Sequence, residues 1–498
     1  MRSKFRKPRA KGSWVKGNGS QSNLEGSFRA ICNRLFLACF LLLPCNFLTS
    51  FDVYANDLIL RELIEEALKN SPELLVSESR VSASNYRIPQ AKSLPDPMFM
   101  FGYQNEGFNK ITLGDEPDAY GMFSLSQMFY FPGKRALKGE MAAKDMESLR
   151  AMHSATKLKI VATVKQLYYD LFLAYKSIDI LKETTGFFSR IEDAASARYS
   201  SGMGSQQEVV MAQTEKYMLL EKEVMQKQKI EAITGMLNTT IGREASSLLG
   251  RPAEPPATSY TFSLEELIQK AKRNSPEIRS REKMVEAADA KVKMAQKEYY
   301  PDFTLNASYF PRTKGFQDMA SLTATINIPV FYKTKQDQAI LEANANLLGA
   351  KRELTSTEYM LSSAIRENHS MVQTGTKLMV LYKDGVTPKI RQDFQLALSG
   401  YATGKIEAIT AISRLKALLD TELLYWGQHV EREKAIGRLE ALTGGTNSES
   451  PTLRDRANAV VENGIRAQDT GIPGQGLEKN KAEQGPDNAG HGSGGMNR

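Results

Sequence analysis

The sequence predicts a mainly α-helical protein with a membrane β-barrel, built from a duplicated unit. Three observations lead to this fold class. A helix-start motif returns after about 200 residues, which indicates a tandem repeat. Each copy contains a pair of amphipathic strands, and each strand pair is followed by a helical stretch of roughly 65 residues.

The repeat is defined by short motifs that recur in the same order. Asn70-Ser-Pro-Glu73 returns as Asn274-Ser-Pro-Glu277, and Pro95-Asp96 returns as Pro301-Asp302. Tyr199-x-x-Gly202 returns as Tyr401-x-x-Gly404, and Phe131-Pro-Gly-Lys134 has a looser counterpart in Phe331-Tyr-Lys-Thr334. The segments before the strands, 57–94 and 263–300, read as helices that break at the Ser-Pro motif, where the cluster ends one helix and caps the next. Ser263-x-x-Glu266 predicts a capping box at the start of the second copy.

Strand pairs follow each Pro-Asp stop. In the second copy apolar residues occupy every second position of two runs: Phe303, Leu305, Ala307 and Tyr309, then Leu322, Ala324, Ile326 and Ile328. Candidate strands of the first copy are 97–104 and 120–131. Four half-apolar strands are too few to close a barrel, and lipid tolerates no open sheet edge. Three chains would supply twelve strands, which can close into a barrel. A soluble sandwich would also satisfy the strands, but it would not explain why long helical rods are attached to both ends of each strand pair.

Long helical hairpins make up the rest of each copy. Residues 135–200 contain no proline, and 334–400 contain only Pro388, near the end. About 65 helical residues form a rod of roughly 100 Å. Val164, Tyr168, Leu171, Tyr175 and Ile178 follow a coiled-coil spacing. Each rod ends at its Tyr-x-x-Gly motif, where glycine suits a helix C-terminus, and a returning helix follows. In a trimer these hairpins would form an α-barrel.

The N-terminal segment carries most of the charge and all of the cysteine. The whole chain has a net charge of +8, but nine of its basic residues and only two acids lie within 1–55, so the rest is nearly neutral and nucleic acid is not an expected partner. Arg29 and Arg34 precede an apolar run at 35–43, and Val53-Tyr-Ala55 fits a cleavage site, which predicts a signal peptide. An uncleaved anchor is the alternative. Cys32, Cys39 and Cys45 all lie in this segment, so the mature chain would have no thiol chemistry.

We therefore predict four parts: a signal peptide with a basic extension (1–55), a first repeat (56–250), a second repeat (251–444) and a disordered tail (445–498). The tail is rich in Gly, Asn, Ser and Asp, a composition that cannot bury a core.

Catalytic and cofactor motifs are not apparent. The four histidines are scattered, with no metal-ligand spacing, no phosphate-binding glycine loop and no nucleophile elbow. We expect no enzyme activity, no cofactor and no resident metal. Met98, Met100, Met122 and Met128 lie near the first strand pair, and thioether sulfur binds Cu(I). The interpretation we favour from sequence is that these methionines fill packing gaps or face lipid.

The motifs together make the chain similar to the outer-membrane efflux protein family, the TolC-like channels, over about 57–443. The resemblance rests on the duplicated Asn-Ser-Pro-Glu starts, Pro95-Asp-Pro97, Ser126-Gln127 followed by Phe131-Pro-Gly-Lys134, and the paired Tyr-x-x-Gly hairpins. It implies a homotrimer with a 12-stranded barrel in outer-membrane lipid and a periplasmic α-barrel. It further implies a passive exit duct that docks a periplasmic adaptor and an inner-membrane pump. The Phe-Pro-Gly-Lys variant is similar to the heavy-metal branch, which favours an RND-type pump over an ABC exporter.

The resemblance also assigns candidate sites. The adaptor-docking tips correspond to Arg198, Tyr199, Gly202, Met203 and Ser205 on the first hairpin, and to Tyr401, Gly404 and Lys405 on the second. The family often narrows its closed channel with acidic rings after the second hairpin glycine, but this chain has Thr410 and Ser413 there. Glu208 and Glu407 are the nearby acids. They either line a narrow aperture or belong to a solvated helix face.

One competing interpretation remains. A periplasmic coiled-coil scaffold or adaptor without a pore would also contain long helical hairpins. It would not explain amphipathic strands inside both repeats.

Overall fold

The structure, a computed structural model, describes residues 58–112, 116–313 and 315–445. The predicted signal peptide lies outside these residues, and so does the predicted tail beyond Gly445. The first copy of the repeat contains, in order, α1 (Leu60–Asn70), α2 (Pro72–Lys92), β1 (Met98–Gln104), β2 (Tyr120–Phe129), α3 (Lys134–Ser200) and α4 (Gln206–Ile241).

The second copy repeats this order. Its elements are α5 (Leu264–Asn274), α6 (Pro276–Lys297), β3 (Phe303–Phe310), β4 (Met319–Ile326), α7 (Gln336–Val380), a π-helical turn (Leu381–Val386), α8 (Thr387–Ala402) and α9 (Ala408–Leu442). The predicted duplication is thus confirmed, whereas the exact limits of the four predicted parts stay a prediction. None of the helices in the described ranges has the combination of length and apolarity that crossing a bilayer requires.

The Ser-Pro motif breaks each opening helix as predicted, but without the predicted side-chain cap. Pro72 and Pro276 stand at the first helical positions of α2 and α6, where a missing N–H costs nothing. The Ser71 and Ser275 side chains are buried and do not cap these helices. The capping box at α5 is confirmed: the Glu266 amide donates to Ser263 Oγ at 3.3 Å, and the Ser263 amide donates to Glu266 Oε2 at 2.9 Å.

Packing explains why the helix break occurs twice. The returning helix of each copy ends against the asparagine of that copy's break. A Cβ on Gly242 would lie 2.3 Å from the Asn70 carbonyl oxygen, and one on Gly444 would lie 2.2 Å from the Asn274 carbonyl oxygen. Both glycines have positive φ, +88° and +80°, a conformation that glycine adopts at low cost. The end of α4 therefore stacks on α1–α2, and the end of α9 stacks on α5–α6.

The four strands form one antiparallel sheet in the order β1-β2-β3-β4. The two hairpins were predicted, but the pairing of β2 with β3, which joins the repeats, was not. Its register places Phe123 opposite Tyr309 and Phe129 opposite Phe303. The last strand begins earlier than its alternation indicated and ends at Ile326, so Ile328 lies beyond it.

A buried lysine connects the sheet to the long helices. Lys134 is 1% exposed, and its Nζ lies 3.0 Å from Asp302 Oδ1 and 2.9 Å from the Tyr300 carbonyl oxygen. The Phe131 amide also donates to Asp302 Oδ1 at 2.7 Å. The Phe-Pro-Gly-Lys motif of the first copy and the Pro-Asp motif of the second are thus parts of one junction.

The predicted rods are present, with one local difference. Helix α3 spans 67 residues, and its predicted seam is buried except for the half-buried Tyr175. It packs along α2, α4, α6 and α9. The second rod contains the π-helical turn, which ends at Val386, two residues before Pro388. A proline lacks an N–H and clashes with the preceding turn, and the wider turn accommodates it within a continuous rod.

Candidate docking tips and aperture

The two helical hairpins close with the same backbone geometry. In the first tip Gly202 has a φ of +74°, and the Met203 amide donates to the Arg198 carbonyl at 2.8 Å. In the second tip Gly404 has a φ of +74°, and the Lys405 amide donates to the Gly400 carbonyl at 2.8 Å. This is the left-handed glycine closure that the Tyr-x-x-Gly motif predicts.

The tips contact each other through Arg198. Its guanidinium carbon lies 5.3 Å from the centroid of the Tyr401 ring, within the range of a cation–π interaction. Its Nη2 donates to the Met203 carbonyl of its own tip at 3.2 Å, and its Nη1 donates to the Tyr401 carbonyl of the other at 3.5 Å. Arg198 therefore bridges the two hairpins.

Glu208 completes this contact. Tyr401 Oη donates to Glu208 Oε2 at 3.0 Å, and Arg198 Nε lies 3.8 Å from the same oxygen. Tyr401 is fully buried. Burial, followed by the hydrogen bond to Glu208, raises the pKa of Tyr401 to about 12, because both disfavour the phenolate. We call Arg198, Glu208 and Tyr401 the tip cluster. The sequence placed two of them in the docking set and one in the aperture set, and the structure brings all three together.

The other predicted docking residues lie on the surface. Tyr199 is 51% exposed and Met203 is 70% exposed. Gly202, Ser205 and Lys405 are also exposed. Gly404 is exposed too, but a Cβ there would lie 2.7 Å from Arg198 Nη1, whereas nothing lies within 4 Å of the same position on Gly202.

The remaining aperture candidates occupy the first turns of α9. Glu407 and Ser413 are exposed and Thr410 is half-buried, with Ser413 Oγ donating to the Thr410 carbonyl at 2.8 Å. The other face of these turns is buried in the hairpin core through Ala408 and Ala411. Glu407 thus faces solvent, while Glu208 is engaged by the tip cluster, so the structure does not bring the two acids together.

A cavity that the sequence did not reveal lies at the two helix breaks, away from the tips. Its volume is roughly 590 Å³, and its lining includes Glu73 and Glu277, the equivalent acids of the two Ser-Pro-Glu motifs. Lys159 Nζ lies 2.8 Å from Glu73 Oε1, and Arg438 also lines the cavity. The duplicated Pro-Glu pairs were the only sequence signal that could have indicated it.

Comparison with known families decides the identity of the chain. A sequence profile described as outer membrane efflux protein matches residues 63–242 and 267–445, one match in each repeat. The chain belongs to the outer membrane efflux protein family. Its location is accordingly the outer membrane, and the family to which it belongs consists of transport components.

Individual relatives of this efflux protein agree with the assignment. The cobalt-zinc-cadmium resistance protein CzcC of Cupriavidus metallidurans is 21% identical over 406 residues, which cover 78% of this chain and 91% of CzcC. The outer membrane protein VceC of Vibrio cholerae has a similar structure, with a TM-score of 0.66 at 18% identity over 78% of this chain and 96% of VceC. A membrane protein from Pseudomonas aeruginosa gives a TM-score of 0.70 at 16% identity, covering 79% of this chain and 92% of its own. The structural likenesses support the predicted TolC-like fold.

Proposed function

We propose that this efflux protein is the exit duct of a tripartite pump: a passive, homotrimeric channel that catalyses no reaction. Its sheet would lie in outer-membrane lipid, and its helical hairpins would extend into the periplasm. There the hairpin tips would dock a periplasmic adaptor, which connects the duct to an inner-membrane transporter.

The observation that carries this proposal is that the apolar face of the sheet is exposed. Its apolar face is exposed, as shown by Phe123, Leu125, Leu305 and Leu322, whereas Ser124 and Ser308 on the other face are buried. A sheet in water has the opposite arrangement, with its apolar face covered. An exposed apolar face opposite a face that carries the serines fits a sheet that meets lipid on one side and a polar conduit on the other.

The sheet edges support a trimer. Among the described residues β1 pairs only with β2, and β4 pairs only with β3, so both outer edges are open. Open edges are not tolerated in lipid. Pairing β1 of one copy with β4 of the next would close a ring of twelve strands from three copies.

Exposed apolar residues on the helices support the same assembly. Val210, Tyr217 and Val224 recur every seven residues along α4 and are all at least half exposed. Tyr359 and Met360 are similarly exposed on α7. Helices α4 and α7 do not pack on each other within one chain, so adjacent copies could bring these two apolar surfaces together.

The relatives also support a proposal for the cargo, and a sequence motif supports one for the pump. CzcC is named for cobalt, zinc and cadmium resistance, which supports a metal-exporting system. The Phe131-Pro-Gly-Lys134 motif, which is similar to that of the heavy-metal branch, favours an RND-type pump over an ABC exporter. The exposed Tyr199, Met203 and Lys405 at the tips are the residues that we propose for adaptor contact.

Planar-bilayer conductance of the purified protein tests the proposal. We expect a trimer that inserts and gives small, cation-preferring currents. Glu407→Gln should reduce the cation preference, because its exposed carboxylate would stand three times around the aperture. Glu208→Gln tests whether an acid engaged by Tyr401 and Arg198 also contributes. If neither substitution changes the cation preference of the currents, the protein is a channel whose aperture is not lined by these acids. A protein that stays soluble and never inserts into the bilayer would refute the duct. It would favour the alternative of a periplasmic coiled-coil scaffold or adaptor without a pore.

A further inference from the structure

Two methionines of β1 lie on the polar face of the sheet. Met98 is paired with Ser126, and Met100 is paired with Ser124. Residues directly opposite each other in an antiparallel pair share a face. That face is polar: on it, Ser124 Oγ donates to Asn306 Oδ1 of the neighbouring strand β3 at 2.5 Å.

Two methionines of β2 lie on the same face. Met122 is opposite Gly102, and Met128 is opposite Thr304. The Met122 methyl group lies 3.0 Å from where a Cβ on Gly102 would be, so it covers the gap that the glycine leaves beside Met100.

These residues form one continuous row. In order from the helical end of the sheet to its loop end, they are Met128, Met98, Met100 and Met122. Diagonal neighbours across a strand pair are roughly 7–8 Å apart, within reach of long side chains. Alternate residues of one strand are about 7 Å apart, so the row extends over about 20 Å along the strands. We call these four residues the methionine row.

Packing and lipid contact do not account for Met98 and Met100. Met98 is 65% exposed and Met100 is 51% exposed, so neither fills a gap in the core. The opposite face, which we propose meets lipid, carries Phe99 and Phe101 on the same strand. The interpretation favoured from sequence therefore does not fit Met98 and Met100, whereas the half-buried Met122 and Met128 also take part in packing.

We propose that the methionine row binds soft monovalent cations, Cu(I) or Ag(I), as cargo passing along the sheet. This inference rests on the proposed duct, in which the strands run in the direction of transport. Thioether sulfur selects Cu(I), whereas nitrogen and oxygen ligands suit zinc and cobalt. No group of three or more His, Cys, Asp or Glu side chains in the described ranges is placed to hold a metal. Several adjacent thioethers with three rotatable bonds each can converge on one ion and pass it on.

Ag(I) titration of the full chain tests the proposal. The protein used for all measurements carries Ser at Cys32, Cys39 and Cys45, so that no thiol can bind silver. We expect Ag(I) to bind in competition with a chromophoric chelator, and Zn(II) in excess not to displace it. Changing all four residues of the methionine row to Leu, which nearly conserves volume, should abolish this binding.

A matched variant supplies the control. It carries Leu at four exposed methionines on α4 and α7: Met218, Met225, Met236 and Met371. This variant should bind Ag(I) as the unchanged protein does. Equal binding by both variants, or a loss in the control alone, would overturn the assignment.

A second measurement needs no substitution. Methionine oxidation by hydrogen peroxide, mapped by mass spectrometry, should slow at the methionine row when Ag(I) is present and stay unchanged at Met203 and Met236. Equal protection everywhere, or none, would refute the site. Conductance separates the two proposals. A conducting trimer that binds no Ag(I) would support the duct and refute Ag(I) binding by the methionine row. A protein that binds Ag(I) but does not conduct would refute the duct and support the binding site.

Discussion

Tyr199 and Tyr401 occupy the same position on two hairpins with the same backbone, yet their surroundings are opposite. Tyr199 is 51% exposed, and Tyr401 is fully buried beneath Arg198 with its hydroxyl on Glu208. The second copy has Gly400 and Thr410 where the first has Arg198 and Glu208. The first hairpin thus supplies both charges, and the second supplies the aromatic ring between them.

This difference shows how a duplicated unit acquires distinct roles. Once the two hairpins pack side by side, one tyrosine must face the partner hairpin, and the other remains free for solvent or a partner protein. The exposed copy is the docking candidate, whereas the buried copy holds the tips together.

The largest expected difference between the two hairpins comes from removing the ring of each tyrosine, Tyr199 or Tyr401. Tyr401→Ala should lower the free energy of unfolding by about 3–5 kcal/mol, as truncation of a buried aromatic does. Tyr199→Ala should change it by no more than about 0.5 kcal/mol, as expected for a surface residue. Denaturant unfolding of the purified trimers measures both. Similar losses in the two variants would contradict the asymmetry.

The hairpin glycines give a smaller difference. Alanine at Gly202 or Gly404 should cost about 1–2 kcal/mol, because both have a φ of +74°. Gly404→Ala should cost a further 0.5–1 kcal/mol or so, because the new Cβ would push the Arg198 guanidinium away from the Tyr401 ring.

An Arg198→Ala background provides the control for this pair. There the two glycine substitutions should cost the same, because no guanidinium remains to be displaced. A persistent difference would assign the effect to another neighbour.

Removing only the hydroxyl groups isolates the hydrogen bond. Tyr401→Phe should destabilise the protein by about 1 kcal/mol, since the half-buried Glu208 carboxylate loses a donor. Tyr199→Phe is the matched control and should be neutral in the same denaturant unfolding measurement. If Tyr401→Phe leaves the free energy of unfolding unchanged, a hydrogen bond from water to the Glu208 carboxylate must replace the one from Tyr401.

The smallest effect is a pH dependence at the alkaline end. Because the pKa of Tyr401 is raised to about 12 from an ordinary value near 10, its contribution to stability is complete below pH 10. That contribution falls as the pH rises through 12. Between pH 10 and 11 only the first part of this loss is accessible, and Tyr401→Phe should remove it from the pH profile. If the pH profile of stability is the same with and without Tyr401→Phe, the group that titrates is not Tyr401.

Local sequence patterns predicted most of the secondary structure. The Ser-Pro breaks, the Ser263–Glu266 capping box, the strand alternation and the proline-free rods all depend on neighbouring residues. The π-helical turn before Pro388 was missed, because proline indicates a disturbance in a helix and not the form that the disturbance takes.

Contacts between the repeats could not be predicted in this way. The docking of Gly242 on Asn70, the Lys134–Asp302 pair and the tip cluster each join residues far apart in sequence. The buried Lys165 Nζ, 2.5 Å from Glu440 Oε2, joins α3 to α9 in the same manner. A charged residue in a helical stretch reads as solvent-exposed unless its partner is known.

By itself, the sequence determined the duplicated order of helices and strands, because helical and strand periods and turn residues are local properties. It also determined which residues share a strand face, since side chains alternate along the chain. Only the tertiary structure decided which face is exposed, how β2 pairs with β3, and which of two equivalent tyrosines is buried. These outcomes depend on the packing of one repeat against the other, and on the partners that distant residues find there.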